Sequence, residues 1–254
     1  MNEEILSMHN VSKSFNGINA INNISLSVKS SEIVGLIGPN GSGKTTLFNL
    51  ISGFILPDSG EINYLKKSIV GTPSQNIAKA GITRTFQDLR LIRRLSIVDN
   101  VSMAFKNRLG NSLIKLFTKW SSIRKQEHSF RQEVTRLLEK AGLDKTIDEI
   151  ADELSYGQQK LLTLISCLAA NGNLLLLDEP ISGVAKNLTN NILDIILQLP
   201  TEGKSVIVIE HNIDAIIQIC DRVVFMDAGK VICEGTPNEV RNNPEVLKAY
   251  LNRV

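Results

Sequence analysis

Apolar positions in this chain fall into short, nearly unbroken blocks and longer segments where they recur every three or four residues. Near the N-terminus a third pattern appears, a rough alternation over Ile5–Phe15 and Ile18–Val28 with Asn16-Gly17 between the two runs. Alternation on both sides of an Asn-Gly pair predicts an antiparallel pair of strands. Glu32-Ile33-Val34-Gly35-Leu36-Ile37 reads as a buried strand, and Thr46-Leu47-Phe48-Asn49-Leu50-Ile51 as the first turns of a helix. Pro57-Asp58-Ser59-Gly60 predicts a turn, Glu61 to Leu65 a short strand, and Gly81 to Gln87 a strand ending in a polar amide. From Ile97 to about Gly142 the strand-like runs stop. Helical spacing replaces them in Val98, Val101, Ala104 and Phe105, and again in Phe130, Val134, Leu137, Leu138 and Ala141.

The second half alternates helix and strand. Gln159 to Ala170 reads as a buried helix, and Leu174-Leu175-Leu176-Leu177 as a strand that ends in Asp178 and Glu179. An unbroken apolar block fits a strand covered on both faces, as in a parallel sheet. The C-terminal ends of such strands are where open α/β sheets place their ligands. Lys186 to Leu199 predicts an amphipathic helix, Lys204 to His211 a strand, Ile213 to Ile219 a helix and Arg222 to Met226 a strand. Asp227-Ala228-Gly229-Lys230 predicts a hairpin turn into Val231–Gly235, and Pro237 to Leu251 a helix interrupted at Pro244. The fold expected is α/β with a mostly parallel sheet, an N-terminal antiparallel β-subdomain and an inserted helical lobe. In one domain over 1–254, residues 1–96 and 171–254 form the core and about 97–170 the lobe.

Composition narrows the picture by exclusion. At 254 residues, 43% hydrophobic and 21% charged, the chain can bury a real core. A formal net charge of +2 makes no electrostatic case for nucleic acid as a partner. Cys167, Cys220 and Cys233 have neither metal-ligand nor disulfide spacing, so a reduced cytosol is expected. Glu3 and Glu4 are unlike the start of a secretory signal, and no apolar run approaches the ~18 residues that span a bilayer. The basic stretch Lys106, Arg108, Lys115, Lys119, Arg124 and Lys125 surrounds Leu113, Ile114, Leu116, Phe117 and Trp120. It reads first as a solvated face, with a membrane or partner contact as the alternative.

The strongest chemical signal is Gly38-Pro39-Asn40-Gly41-Ser42-Gly43-Lys44-Thr45, set between a predicted strand and a predicted helix. In that context the glycines let backbone N–H groups turn inward, and the helix N-terminus adds partial positive charge for a phosphate chain. Lys44 is expected to reach the β- and γ-phosphates, and the Thr45 hydroxyl to ligate Mg²⁺. Asp178 suits the Mg²⁺ sphere opposite Thr45, whereas Glu179 suits the orientation of an attacking water. His211 would contact the γ-phosphate or steady Glu179. Gln87 would touch Mg²⁺ or the water, or only cap its strand. Phe15 would meet an adenine face, or only pack in the core. Ser155 and Gly157 make a helix start suited to an anion. Together these residues describe a Mg²⁺-dependent nucleoside triphosphate hydrolase.

The ordered set resembles the nucleotide-binding subunits of ATP-binding cassette (ABC) transporters over essentially the whole chain. Walker A corresponds to Gly38–Thr45, the glutamine loop to Phe86-Gln87, the signature to Leu154-Ser155-Tyr156-Gly157-Gln158 and Walker B to Leu174–Asp178. By the same resemblance Glu179 is the catalytic glutamate, His211 the switch histidine and Phe15 the adenine-stacking aromatic. The resemblance implies ATP and Mg²⁺ as cofactors. ATP would bind Phe15, Gly38, Pro39, Asn40, Gly41, Ser42, Gly43, Lys44, Thr45 and Thr46, with Ser155, Gly157 and Gln158 acting on ATP held by a partner cassette. Mg²⁺ would sit on Thr45, Gln87 and Asp178, and Lys44, Gln87, Glu179 and His211 would act in hydrolysis. It further implies a second ATPase subunit, apolar permease subunits, a solute-binding protein reached indirectly, and a place on the cytoplasmic face of the inner membrane. Ile82–Gln87, Glu210-His211-Asn212, Glu234-Gly235-Thr236-Pro237 and Asn243–Leu251 are most similar to the branched-chain amino acid importer ATPases, the LivG type more than the LivF type. Urea and short-amide importers and the lipopolysaccharide-export ATPase share much of this pattern.

Three positions depart from the family pattern. Tyr156 replaces the first glycine of the commonest signature, Ala185 stands where many relatives carry Asp or Asn, and Ser166 where an arginine is usual. The last two bear on how this chain completes its partner's site, which leads to the expectation of two unequal sites in a heterodimer. Three rivals are weaker. A GTPase lacks its D-x-x-G and N-K-x-D stretches here, and a small-molecule kinase has no use for Leu154–Gln158. An ABC ATPase of repair or translation carries coiled-coil arms or two cassettes.

Overall fold

The computed structural model describes residues 3–87, 89–105 and 120–251. They divide into two compact units. The first holds residues 1–87, 172–182 and 196–254, and the second residues 88–171 and 183–195. The second unit thus takes in Gly183–Ile195, which the sequence reading gave to the core.

The first unit contains two sheets. β1 (Glu4–Phe15) and β2 (Ile18–Lys29) pair antiparallel, and the turn between them has positive φ at both Asn16 (49°) and Gly17 (81°). Two consecutive left-handed residues match the right-handed twist of the strands, which is why Asn-Gly succeeds here. β4 (Ser59–Tyr64) and the short β5 (Lys67–Ser68) complete the order β2-β1-β4-β5. β4 begins inside the predicted turn, because Ser59 already pairs with Ser12.

The larger sheet uses β3 (Ile33–Ile37), β6 (Ile82–Arg84), β7 (Leu174–Asp178), β8 (Ser205–Ile209), β9 (Arg222–Asp227) and β10 (Lys230–Gly235). Its order is β10-β9-β3-β8-β7-β6, parallel throughout except for the β9–β10 hairpin. Every residue of β3, β7 and β8 is buried, as expected of unbroken apolar blocks in the middle of a parallel sheet. Helices α1 (Lys44–Ile51), α2 (Ser74–Ala80), α7 (Ile213–Ile219), α8 (Pro237–Arg241) and α9 (Pro244–Leu251) also belong to this unit. α2 has no counterpart in the sequence reading. Its one buried residue, Ile77, leaves no periodic apolar face to detect.

The second unit is helical. It holds α3 (Ile97–Ala104), α4 (Trp120–Ala141), α5 (Tyr156–Ala169) and α6 (Lys186–Gln198) as far as Ile195. Ser96 caps α3 by accepting from the Asp99 amide. The buried Asn100 side chain folds the preceding loop around itself, donating to the carbonyls of Ile92, Leu95 and Ser96 and accepting from the Ile92 amide. Val134, Leu138, Leu161, Leu162 and Ile165 are among its buried apolar residues. Of the basic stretch, residues 106–119 lie outside the described residues.

Candidate functional site

Register decides what meets at the C-terminal edge of the large sheet. Asp178 at the end of β7 pairs with Ile209 at the end of β8, and Leu36 near the end of β3 pairs with the same Ile209. Three loops therefore leave the sheet at one level: Gly38–Gly43, Glu179–Ile181 and Glu210–His211. On the far side of β7, Arg84 of β6 pairs with Leu176, so Thr85, Phe86 and Gln87 climb toward that edge. The predicted strands through Gln87 and His211 stop earlier, at Arg84 and Ile209, leaving the polar residues on loops where their side chains can turn.

A cavity of about 340 Å³ lies at this edge. Asn40, Gly41, Gly43, Lys44, Thr45 and Thr46 line it together with Gln87, Glu179 and His211, and with Ala20 and Ile209. The loop has no room for side chains at two positions. A Cβ on Gly38 would lie 2.0 Å from the Met226 carbonyl oxygen, and one on Gly43 2.5 Å from that of Ala20, and both residues have positive φ. Lys44 is 7% exposed and donates to the carbonyl oxygens of Gly38 at 2.8 Å and Pro39 at 3.0 Å and to Ser42 Oγ at 3.3 Å. Burial pushes its ammonium below the ordinary value, while Glu179 and Asp178 pull it back up.

Glu179 and His211 are in contact, with His211 Nε2 3.0 Å from Glu179 Oε1. Glu179 has φ +48°, a left-handed conformation unusual for a glutamate. Asp178 is directed elsewhere. Its Oδ2 accepts from Arg84 Nη2 at 3.0 Å, with both side chains only 6% exposed, and its amide donates to Thr85 Oγ1. Arg84 also donates to Asn49 Oδ1 and Ser52 Oγ, and its guanidinium lies 5.3 Å from the centre of the Phe48 ring and 4.9 Å from that of Phe86. The sequence reading assigned Arg84 no part in the site. The only trace in the sequence was an arginine in a short strand, with nothing local to name its partner.

The model of the ABC transporter family matches residues 21–182. The chain belongs to the ABC transporter family. A second model, described as branched-chain amino acid ATP-binding cassette transporter, matches residues 230–251. The high-affinity branched-chain amino acid transport ATP-binding protein LivG of Salmonella typhimurium strain LT2 is 34% identical over 252 residues, 99% of this chain and 99% of that protein. A nucleotide-free ATP-binding cassette from an ABC transporter is 32% identical with a TM-score of 0.84, covering 98% of this chain and 99% of that one. The dimeric structure of a bacterial ABC transporter cassette is 26% identical with a TM-score of 0.78, covering 91% and 98%.

Within this cassette the signature residues belong to the second unit, and none of them is among the residues that line the cavity. Ser155 caps α5 in a reciprocal box with Gln158, whose Oε1 accepts from the Ser155 amide at 3.0 Å. Gly157 packs closely on α6, since a Cβ there would lie 2.8 Å from Leu188 Cδ1, the mobile end of a leucine side chain. The Tyr156 ring lies beside Gly183, where an added Cβ would approach it to 3.1 Å, and the Lys160 ammonium sits 5.8 Å from the ring centre. Ser166 donates back to the Leu162 carbonyl, and exposed Ala185 opens α6 with its carbonyl accepting from Leu188 and Thr189. Phe15 ends β1, 45% exposed, with the Lys13 ammonium 5.5 Å from its ring centre. Phe15, Gly38, Pro39, Ser42 and Asp178 do not line the cavity itself. Among the described residues no helix is long and apolar enough to cross a membrane.

Proposed function

We propose that this chain is the Mg²⁺-dependent ATPase of an importer for branched-chain amino acids, peripheral on the cytoplasmic face of the membrane and working as one of a pair of cassettes beneath permease subunits. The observation that carries the reading is that Lys44 and Thr45 line the same cavity as the Glu179–His211 pair. Full-length similarity to LivG supports the substrate class, and the family model at residues 230–251 points the same way.

In this reading the loop amides and Lys44 clasp the β- and γ-phosphates of ATP, with Lys44 exchanging its contacts to loop carbonyls for phosphate oxygens. Glu179 orients a water for attack on the γ-phosphorus and takes its proton as the bond to the ADP oxygen breaks. His211 fixes the Glu179 carboxylate and lies within the same cavity. Thr45 and Gln87 offer neutral oxygen donors at the cavity wall, and the Asp178 carboxylate, which does not line the cavity and is paired with Arg84, would join them by sharing or giving up that bond. Such a sparse set suits Mg²⁺, which keeps waters and shares substrate phosphates. Those three residues would hold the ion, which when bound neutralises charge on the β- and γ-oxygens. Phe15 stacks on adenine. The Ser155-headed helix of one cassette closes over ATP held by the other, as the dimeric relative makes feasible. Ala185 and Ser166 weaken the site this chain completes on its partner, leaving its own Lys44–Glu179 site sound.

Purification of the tagged chain from its native membrane tests this. It should bring down apolar permeases and a second cassette, and the reconstituted assembly should take up labelled leucine, isoleucine or valine with ATP. Recovery with ribosomes or DNA, or uptake of urea or short amides alone, would overturn the assignment.

A further inference from the structure

Glu210 is 3% exposed, and the ATPase reading gives it no role. Its two carboxylate oxygens serve two different loops. Oε1 accepts from the amide of Ile181 at 2.9 Å, and Oε2 from the amide of His211 at 3.2 Å. Ile181 lies two residues after Glu179, whose own amide donates to the Ile209 carbonyl at 2.9 Å. The left-handed backbone of Glu179 is therefore tied on both sides to the exit of β8, by a ladder-like bond before it and by Glu210 after it. A non-glycine residue at φ +48° costs on the order of 1 kcal/mol and persists only where its surroundings over-determine it. The same carboxylate that supplies this restraint also holds the backbone from which the His211 side chain departs.

We infer that Glu210 is a positioning residue that sets the Glu179–His211 contact by holding one amide of each loop. The inference rests on the reading of Glu179 and His211 as the hydrolytic pair. A carboxylate is the side chain suited to the task, because it offers two acceptor oxygens and no donor. Glutamine offers only one acceptor, and turns N–H toward the other amide. Burial raises the Glu210 carboxyl above its usual range, the two amides oppose that rise, and the Glu179 carboxylate adds to it. The fold thus tolerates an unfavourable buried acid in order to keep both acceptors.

Glu210→Gln in the assembled transporter tests the inference, with steady-state ATP hydrolysis and equilibrium binding of a non-hydrolysable ATP analogue measured together. Displacement of a catalytic group by a fraction of an ångström to 1 Å costs about 10- to 100-fold, so kcat should fall by that factor while analogue Kd changes less than about twofold. In a His211→Ala background the same substitution should add less than about twofold, because its effect travels through the pair. Should Gln impair folding, Glu210→Asp keeps the charge and both acceptors but shortens the reach, and the same split is expected. Unchanged kcat, a matching loss of analogue affinity, or an undiminished effect in the His211→Ala background would overturn the inference. Glu179→Gln in the same assembly separates the two levels. If it abolishes turnover while Glu210→Gln does nothing, only the positioning role fails; if it leaves turnover intact, the underlying ATPase assignment fails.

Discussion

Arg84→Ala should be among the most destabilising single changes in the cassette, although Arg84 does not line the cavity. Its guanidinium and the Asp178 carboxylate form an ion pair with both side chains 6% exposed, and the arginine alone reaches Asn49, Ser52, Phe48 and Phe86. Removing one partner of a buried pair strands the other charge, which costs about 3–5 kcal/mol. Loss of the two ring contacts adds up to about 1 kcal/mol each. Taking about 4 kcal/mol as the total, and about 2–4 °C per kcal/mol for a chain of this length, the expected fall in Tm is on the order of 10 °C. Thermal melts without nucleotide or Mg²⁺ isolate this term from ligand binding. Two further variants separate charge from packing. Arg84→Met keeps the volume and should lose nearly as much as Arg84→Ala, whereas adding Asp178→Asn to Arg84→Met removes the stranded charge and should recover most of the loss. A fall in Tm below about 2 °C for Arg84→Ala, or no recovery in the double variant, would refute the reasoning.

Other perturbations follow from the same geometry. Lys44→Met should weaken ATP binding about 10- to 100-fold in a fluorescent-nucleotide titration, the value of a charge-assisted hydrogen bond of ~1.5–3 kcal/mol. Gly38→Ala should destabilise by more than ~2 kcal/mol or prevent soluble expression, since its Cβ would lie 2.0 Å from the Met226 carbonyl oxygen. Burial disfavours the Glu32 carboxylate, but hydrogen bonds from Arg222 and the Lys29 amide outweigh it and hold the group below its ordinary 4.5. Its folded value is the lower one, so its stabilisation is complete above about pH 4.5 and is lost as pH falls through the folded value. Urea melts from pH 6 to 3 should therefore decline less steeply in Glu32→Gln; an equal slope would count against the Glu32–Arg222 pairing.

Elements whose burial is set locally were legible from sequence alone. Four leucines in a row fit a strand covered on both faces, and β7 is one. Asn16-Gly17 made its tight turn because both positions need positive φ. The phosphate loop was legible because its glycines and Lys44 act within eight residues of one another. What escaped depends on which strands lie side by side. The Arg84–Asp178 pair exists because β6 and β7 run parallel with Arg84 opposite Leu176, a register that no local pattern encodes. Glu210 was read as strand because it follows four apolar residues of β8, yet the strand ends at Ile209 and its carboxylate turns to Ile181. α2 was missed for a different reason, since a helix with one buried side chain leaves no periodic trace.

If Lys44 and the Glu179–His211 pair form one ATP-hydrolysing site, loss of the Glu179 carboxylate must stop hydrolysis there without loss of nucleotide binding. The most direct measurement is phosphate release by the assembled transporter carrying Glu179→Gln, made alongside ATP-analogue binding by the same sample. Binding retained with release from this site abolished is the predicted result; release at the wild-type rate would contradict it.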